Sequence, residues 1–405
     1  MDIKVLMFGW EFPPYNSGGL GVACFGLTQA LARERIDISF VLPKKLDISS
    51  NTMRIIFADT LSSIIRFRII DSTLSPYLTP KSYNGSKLDD KEAFYGSTLF
   101  EEVARYALAG ARLAMEETFN VIHAHDWLSF PAGVEAKRVS GKPLVAHVHA
   151  TEFDRTGGNV NQHVYEIEKE GMEKADRIVA VSDFTKNIII SNYGIEPSKI
   201  TVIHNGIEKE NYHVIPSTLK KFKEQGTKIV LFVGRITLQK GPDYFLRAAQ
   251  KTLSYKPNVM FVIVGSGDME GQIINQVIEL GISNNVLFTG FLRGEELSSV
   301  YQAADLFVMP SVSEPFGLAS LEALAHGTPV LISKQSGVSE VITHGLKVDF
   351  WDIDEMANKI LAMLDNQPLS QTLKEESVKD LDKVSWKEAA QKCIHLYSEL
   401  LISAA

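Results

Sequence analysis

Residues 311–333 contain side chains and backbone features that suit a phosphorylated ligand. The stretch reads SVSEPFGLASLEALAHGTPVLIS, with apolar residues at helical spacing between a polar turn and a terminating Gly. Gly317 falls in the predicted first turn, where a missing side chain lets an anion approach unpaired backbone N–H donors. Glu314 and Glu322 lie on either side of it. This pattern predicts a phosphate held by amides, next to hydroxyls held by carboxylates, as in a sugar nucleotide. The alternative is an acidic turn and a solvated glutamate.

Two basic residues strengthen the phosphate interpretation. Arg235 and Lys240 follow a predicted strand at residues 229–233. A rigid guanidinium and a mobile ammonium suit the two phosphates of a leaving nucleoside diphosphate. As a surface pair alone they would mean little. With the helix N-terminus at Gly317 on the same predicted sheet edge, they favour a diphosphate site.

Composition restricts the class of protein. A chain of 405 residues exceeds what one hydrophobic core normally supports, so two domains are expected. The net charge of −8, with acids and bases mixed, disfavours nucleic acid as a partner and gives no polybasic face for a membrane. No apolar run reaches the roughly 18 residues of a membrane span. Cys24 and Cys393 lie far apart without metal-ligand spacing, which favours a reducing cytoplasm.

Strands and helices alternate along the chain. An apolar run at residues 3–8 predicts a buried parallel strand, followed by a Gly-rich loop and a helix at residues 22–35. Gly18 and Gly19 in that loop would let a ligand approach the backbone, although a flexible surface turn is the alternative. Further elements are predicted as strands at 38–42, 53–57, 64–70, 121–127, 144–148, 178–182, 200–203, 229–233, 259–264, 286–289 and 306–309, and as helices at 99–117, 184–193, 243 onward, 268–280, 297–303 and 386–402.

This alternation predicts an α/β protein with two doubly wound Rossmann-like domains. We expect an N-terminal domain at residues 1–212, a C-terminal domain at 213–385 and a final helix at 386–405 that packs back toward the N-terminal domain. A polar, Lys-rich passage at residues 212–225 is the predicted linker. Two Asp-x-Asp pairs, Asp352/Asp354 and Asp380/Asp382, are interpreted as helix caps.

Four histidines lie on two predicted strands, at His123, His125, His147 and His149. Strand alternation sends each pair to one face, but no Cys or His-x3-His partner completes a metal cage, so we expect no metal. The residues at the two strand ends, Asp126, Trp127 and His149, are expected to face a shared cleft. A buried histidine satisfied by its neighbours is the alternative.

Together these residues resemble the retaining glycosyltransferases of the GT-B fold, a group that includes glycogen and starch synthases, sucrose synthases and bacterial mannosyltransferases. In that fold the two domains face each other across a cleft. The resemblance spans nearly the whole chain. It is carried by Gly18-Gly19-Leu20, His125-Asp126-Trp127, His149, Asn205-Gly206, Arg235 with Lys240, Asp305 and Glu314-x7-Glu322.

The resemblance implies a role for each matching residue. Arg235 and Lys240 would hold the diphosphate, Glu322 the ribose and Glu314 the hydroxyls of the transferred sugar, which His149 would also contact. The implied catalytic residues are His149, Arg235, Lys240 and Glu314. The implied donor site further includes Gly18, Gly19, Gly265, Tyr301, Phe316, Gly317, Leu318 and Glu322. The implied acceptor site includes Glu11, Asp126 and Trp127. Members of the group work without a metal or cofactor.

Within the group, His125-Asp126-Trp127 and the HATEFDRTGGN segment resemble glycogen synthases. The resemblance implies transfer of glucose from UDP- or ADP-glucose to a carbohydrate acceptor, an α-glucan. Asn16 replaces the Lys of ADP-glucose-using synthases and Glu208 replaces a usual Asp, which leaves the nucleotide open. Other possibilities are a mannosyl- or other hexosyltransferase acting on a small-molecule, lipid or cell-surface glycan acceptor, a nucleotide-sugar epimerase, a pyridoxal-dependent phosphorylase and a non-catalytic sugar-binding subunit. The sequence does not fix the oligomeric state.

Overall fold

The computed structural model describes residues 2–14, 18–44, 50, 52–58, 99–207 and 217–403. They form two compact units. The first contains Met1–Glu152, Val160–Gly206 and Trp386–Ala405, and the second contains Phe153–Asn159 and Ile207–Ser385. The predicted strand at residues 64–70, Asn16 and Glu208 lie outside the described residues.

Each unit is built on a parallel β-sheet. The strands of the first unit are β1 (Lys4–Phe8), β2 (Asp37–Leu42), β3 (Arg54–Phe57), β4 (Val121–His125), β5 (Leu144–Val148), β6 (Arg177–Ala180) and β7 (Ile200–Val202). Those of the second unit are β8 (Lys228–Val233), β9 (Val259–Val264), β10 (Val286–Gly290), β11 (Leu306–Met309), β12 (Val330–Ser333) and β13 (Leu346–Val348).

Helices connect the strands. The α-helices are α1 (Gly19–Arg33), α2 (Leu99–Glu116), α3 (Phe130–Ser140), α4 (Glu152–Thr156), α5 (Gln162–Lys174), α6 (Asp183–Ile188), α7 (Ser217–Glu224), α8 (Pro242–Tyr255), α9 (Glu270–Glu279), α10 (Gly294–Ala303), α11 (Leu318–Ala325), α12 (Ile353–Asp365), α13 (Gln367–Leu381) and α14 (Trp386–Ser403). A π-helical turn, Ile189–Tyr193, continues α6.

The strand orders confirm the predicted fold class. They run β3-β2-β1-β4-β5-β6-β7 in the first unit and β10-β9-β8-β11-β12-β13 in the second. In each sheet the order reverses beside the first strand of the unit, which defines two Rossmann-like, doubly wound sheets. Ligands of such sheets bind at the carboxyl ends of the strands next to this reversal. In the first unit these are the ends of β1 and β4, and in the second those of β8 and β11.

Some elements differ from the sequence predictions, each for a local reason. Helix α1 begins at Gly19, three residues earlier than expected, because Gly18 takes an extended conformation and acts as its N-cap. Helix α7 occupies part of the predicted linker. Asp352 caps α12 as expected, since its side chain accepts the Glu355 N–H. The capping interpretation is wrong for Asp380, which is fully buried and accepts the N–H groups of Thr343 and His344.

The C-terminal helix belongs to the core of the first unit. Helix α14 packs on α1, and a Cβ added at Gly26 would lie 2.1 Å from Cε2 of Trp386. Its Cys393 and Tyr397 side chains are fully buried. The Tyr397 hydroxyl lies 2.5 Å from Nδ1 of His123 on β4. The last helix therefore completes the packing around the sheet that begins at residue 4.

Candidate active site

In the second unit, an ion pair joins the loop after β8 to the loop after β11. The Lys240 ammonium lies 2.5 Å from Oε2 of Glu314. The Ser311 hydroxyl donates to the same oxygen at 3.0 Å. The Glu314 side chain is 7% exposed and that of Lys240 22%. A carboxylate and an ammonium thus share one partly sheltered position at the switch point of this sheet.

Close backbone approach brings the two loops together. Gly241 follows Lys240 with φ of 63°, and a Cβ there would lie 2.3 Å from the carbonyl oxygen of Pro310. The Val312 N–H donates to the Gln239 carbonyl at 2.9 Å. Glycine at position 241 is therefore required both by its left-handed conformation and by lack of space.

Arg235 lies on the same loop as Lys240. One of its guanidinium nitrogens donates to Oε1 of Gln239 at 3.3 Å. The preceding Gly234 lies beside the Lys240 side chain, where an added Cβ would be in ordinary contact at 3.7 Å. Two cationic side chains thus share the short loop that follows β8, at the carboxyl edge of the sheet.

Helix α11 begins after Gly317, which is its N-cap rather than a residue of its first turn. Gly317 has φ of 112°, and an added Cβ would lie 3.0 Å from the Met309 methyl. Leu318 is the first helical residue, and Phe316 is buried just before the cap. The first-turn amides of a helix lack intrahelical acceptors and carry partial positive charge. An anion at this helix end would be stabilised by hydrogen bonds from these amides and by their partial positive charge.

Tyr301 and Glu322 are hydrogen-bonded to each other, which the sequence did not indicate. The buried Tyr301 hydroxyl on α10 donates to Oε2 of Glu322 on α11 at 2.9 Å. Gly265, expected near the nucleotide base, follows β9 with φ of 133°, and a Cβ there would lie 2.0 Å from the Gly234 carbonyl oxygen. The structure thus places Gly265 against the loop that contains Arg235.

In the first unit, Asp126 holds the chain at the end of β5. Its Oδ1 accepts the His149 N–H at 2.6 Å and the Ala150 N–H at 3.3 Å. Its φ of 59° is rare for a residue other than glycine. The neighbouring Trp127 is buried and packs against Phe100. The acceptor-binding roles expected for Asp126 and Trp127 stay predictions.

Glu11, the third residue expected at the acceptor site, contacts the Gly-rich loop. Its buried carboxylate accepts the Gly18 N–H at 3.0 Å. This bond fixes the N-cap of α1 and so the start of the helix at Gly19. Glu11 therefore holds in place the Gly-rich loop, which the sequence predicts to bind the donor.

The four histidines of β4 and β5 form one buried stack, which we call the histidine stack. In the sheet register His125 pairs with His147. Nε2 of His123 lies 3.1 Å from Nδ1 of His147, and Nδ1 of His125 lies 2.9 Å from Nε2 of His149. Burial lowers the pKa of His123 and of His149 to about 3. It also lowers the pKa of His125 and His147 well below the usual value, so all four rings are neutral.

The stack brings possible metal ligands together. Among the described residues, two groups have ligand atoms within 4.8 Å of one another: Cys24, His125 and His149, and His123, His125 and His147. Neighbouring rings in the stack lie only 13° to 36° from parallel. Nitrogens of these rings are already hydrogen-bonded to each other, at 3.1 Å between His123 and His147 and at 2.9 Å between His125 and His149. The expectation of no metal stays a prediction.

Gly19→Ala is expected to weaken donor binding about tenfold without lowering the stability of the protein. An added methyl group has an effect of about this size when it crowds a close-packed contact. A Cβ added at Gly19 would have no described atom within 4 Å, so no described residue opposes the added methyl group. Gly271→Ala is the matched control, since Gly271 also lies in the first turn of a helix with open space around it. Calorimetric titration of both variants with a nucleotide sugar is the measurement. Equal affinities in both would contradict a donor contact at Gly19.

Comparison with known proteins identifies the class. Residues 216–380 match the family model of glycosyl transferases group 1, and residues 91–211 match that of glycosyltransferase family 4. A D-inositol 3-phosphate glycosyltransferase of Mycolicibacterium smegmatis is 30% identical over 70% of this chain and 68% of its own. The chain therefore belongs to the group 1 glycosyltransferases.

Other similar proteins agree with this assignment. An uncharacterized glycosyltransferase of Methanocaldococcus jannaschii, MJ1607, is 29% identical over 98% of each chain. A glycogen synthase of Mycobacterium tuberculosis is 27% identical over 85% of this chain and 81% of its own.

Solved structures share the fold. Sucrose-phosphate synthase of Thermosynechococcus elongatus has a TM-score of 0.77 at 20% identity, with all of both chains covered. HepE of Anabaena, solved in complex with UDP and glucose, has a TM-score of 0.70 at 20% identity over 98% of this chain and 99% of its own. These likenesses confirm the GT-B fold class. Among the residues that the structure describes, no helix combines the length and apolar character needed to cross a membrane.

Proposed function

We propose that this glycosyltransferase moves glucose from UDP- or ADP-glucose to a carbohydrate acceptor, an α-glucan, with retention of configuration and without a metal. The observation that carries the proposal is the Lys240–Glu314 pair beside the N-terminus of α11. The arrangement has a cation, a carboxylate and the first-turn amides of a helix at one edge of one sheet. These are the groups that a sugar diphosphate requires.

The diphosphate binds to the cationic side of this arrangement. Lys240 and Arg235 neutralise the phosphates, and the first-turn amides after Gly317 donate hydrogen bonds to them. Negative charge grows on the diphosphate as the bond to the sugar breaks. Without a metal, the two side chains and the helix end stabilise that charge.

Carboxylates bind the two sugars of the donor. Glu314 accepts hydrogen bonds from hydroxyls of the transferred hexose while Lys240 lies against the adjoining phosphate. Glu322, held by the Tyr301 hydroxyl at 2.9 Å, accepts from the ribose. The contact of His149 with the transferred hexose, which the family resemblance implies, stays a prediction.

The reaction is a front-face displacement. The bond between the anomeric carbon and the diphosphate oxygen breaks, and a bond forms from the same face to the acceptor oxygen. The acceptor proton passes to the departing phosphate, so the nucleoside diphosphate leaves and the configuration is retained. Oε2 of Glu314 is paired with Lys240 and Ser311, and we assign this carboxylate to hydroxyl binding.

Similarity supports the choice of glucose and glucan. The Mycobacterium tuberculosis relative is named as a glycogen synthase, and HepE was solved with UDP and glucose. A second candidate, transfer to a small phosphorylated cyclitol, is favoured by the 30% identical relative from Mycolicibacterium smegmatis, which is named as a D-inositol 3-phosphate glycosyltransferase.

The cysteines support a cytoplasmic setting for this activity. Cys24 and Cys393 are both buried and unpaired as thiols. Burial raises the pKa of Cys393 to about 12, which keeps it as an unreactive thiol. The chain thus has no disulfide among its described residues that would require an oxidising compartment.

UDP-glucose or ADP-glucose is expected to raise the melting temperature of the protein, whereas GDP-mannose is not. A ligand at a hundred times its Kd adds about 2.7 kcal/mol to the free energy of unfolding. The measurement is thermal denaturation with each sugar nucleotide, followed by incubation of the stabilising donor with glycogen or with inositol 3-phosphate. Product anomeric configuration is then read by NMR. An inverted product, stabilisation by GDP-mannose alone, or loss of activity in EDTA would contradict the proposal.

A further inference from the structure

We propose that Asp154 is a positioning residue that holds Glu314 in place through the Ser313 hydroxyl. The inference rests on the proposed function, in which Glu314 binds the transferred sugar. It gives a role to residues 153–159, which belong to the second unit although β5 and α5 on either side of them belong to the first. We call residues 153–159 the docked segment, and residues 310–317, between β11 and α11, the Glu314 loop.

A buried carboxylate of the docked segment contacts the Glu314 loop directly. The Ser313 hydroxyl donates to Oδ1 of Asp154 at 2.5 Å, the short length at which a hydroxyl binds a carboxylate. Asp154 is 0% exposed. Ser313 has no second hydrogen bond among the residues that the structure describes. The position of the Ser313 side chain therefore depends on Asp154.

The docked segment also lies beside the loop after β8. A Cβ built at Gly157 would lie 3.4 Å from a methyl group of Leu238. Leu238 belongs to the same short loop as Lys240. The docked segment thus adjoins both of the loops that form the Lys240–Glu314 ion pair.

Backbone hydrogen bonds hold the residues on either side of Ser313. The Val312 N–H donates to the Gln239 carbonyl oxygen at 2.9 Å, and the Glu314 N–H donates to that of Gln335 at 2.9 Å. A peptide segment that is held at two points can still rotate about the line between them. The Ser313 side chain supplies a third point of attachment, which removes this rotation.

Rotation of this segment would move the Glu314 carboxylate. Oε2 of Glu314 accepts the Ser311 hydroxyl at 3.0 Å and lies 2.5 Å from the Lys240 ammonium, so a small displacement alters both contacts. A misplacement of about 1 Å in a group that orients a substrate can lower the rate by as much as about 10²-fold. Asp154 therefore acts on turnover through Glu314.

Asp380 is a matched control for the loss of a buried carboxylate. It is also 0% exposed and also belongs to the second unit. Its hydrogen bonds are made with Thr343, His344 and Lys383, none of which lies in the Glu314 loop. Asp380→Ala therefore removes a buried carboxylate but leaves the bond between Asp154 and Ser313 intact.

The first test measures the mobility of the Glu314 loop without any substrate. Amide hydrogen exchange of Val312 and Glu314 is followed in the full-length protein. We expect Asp154→Ala and Ser313→Ala each to speed this exchange about tenfold, as loss of one hydrogen bond to a carboxylate does. Asp154→Asn, which keeps an acceptor oxygen, should stay near wild type. Unchanged exchange in Ser313→Ala, or an equal rise in Asp380→Ala, would overturn the proposal.

Ser313→Ala keeps this test decisive if Asp154→Ala does not fold. The Ser313 side chain is partly exposed, so its truncation removes the bond to Asp154 without opening a cavity in the core. The exchange rates of this variant alone then decide whether the bond restrains the loop.

The second test measures turnover in a double-mutant cycle. Asp154→Ala and Ser313→Ala should each lower kcat about tenfold, with a smaller change in KM for the sugar nucleotide, since the diphosphate and ribose contacts remain. The double variant should lose no more than either single variant, because both substitutions break the same bond. Independent losses would multiply to about 10²-fold and would overturn the proposal.

The remaining variants separate positioning from stability. Asp154→Asn should recover most of the rate, and Asp380→Ala should keep the wild-type kcat at a temperature where it is folded. An equal loss of kcat in Asp380→Ala and Asp154→Ala would assign both to stability and contradict the proposal. If wild type transfers no sugar, the proposed function fails, while the exchange measurement still decides whether Asp154 holds the Glu314 loop.

Discussion

Replacing Lys240 with alanine is expected to lower kcat by roughly 10³-fold, as removal of a group that stabilises developing anionic charge does. The ammonium lies 2.5 Å from Glu314 and on the same loop as Arg235, so it adjoins both the sugar and the phosphate of the proposed donor. Initial rates with saturating sugar nucleotide are the measurement. A wild-type rate in Lys240→Ala would refute the assignment of this loop to the diphosphate.

The control for this variant is Lys251→Ala. Lys251 lies on α8 of the same unit and makes an exposed ion pair with Asp354, so its loss should change neither rate nor stability by a measurable amount. Lys240→Ala also leaves the Glu314 carboxylate without its cation. The double variant Lys240→Ala/Glu314→Gln removes that charge. We expect the double variant to regain the melting temperature of wild type, which would assign any loss of stability in Lys240→Ala to the uncompensated Glu314 carboxylate; an unfolded Lys240→Ala at the assay temperature would assign its lost activity to unfolding.

The free energy of unfolding is expected to fall steeply as the pH drops from 7 to 5, because of the histidine stack. The folded-state pKa of His123 and of His149 is about 3, below the unfolded value of about 6.5. A base whose folded pKa is lowered favours folding while it is neutral. Its contribution is complete above the unfolded pKa and is lost as the pH falls from about 6.5 toward 3.

His123 and His149 alone should cause a large loss in the free energy of unfolding. Each histidine costs about 1.4 kcal/mol per pH unit below 6.5, so each removes about 2 kcal/mol at pH 5. His125 and His147 act in the same direction. Urea denaturation at several pH values measures the slope. His147→Leu should reduce the slope, whereas His395→Gln, which alters an exposed side chain on α14, should not. An equal slope in His147→Leu would show that the stack is not the cause.

The alternating pattern was enough to predict both sheets except for the short edge strand β13, which the sequence did not indicate. Long apolar runs such as that of β1, bounded by glycine, predict buried parallel strands without reference to distant residues. The predicted start of a helix was less accurate where the conformation of a single residue determines it. Gly317 looked like part of a helix, yet its φ of 112° makes it the cap before Leu318. A pattern of residue types does not reveal that torsion angle.

The sequence does not predict which distant residues will contact each other in the folded protein. The Lys240–Glu314 ion pair joins residues 74 apart, and the Tyr301–Glu322 bond joins residues 21 apart. Each residue was singled out, but no local pattern states which one will be its partner. Strand alternation did place His123 with His125 and His147 with His149. The register that pairs His125 with His147 emerged only from the assembled sheet.

The position of α14 determines which fragments of this enzyme can fold when they are expressed alone. The polypeptide leaves the first unit at Gly206 and re-enters it at Trp386. A fragment ending at residue 206 would lack the indole that fills the space beside Gly26 and the phenol that meets His123. Such a fragment should aggregate when expressed alone and be rescued by co-expression of a peptide spanning 386–405. A circular permutant that links residue 405 to residue 1 and opens the chain between the units would keep all of these groups in one continuous piece.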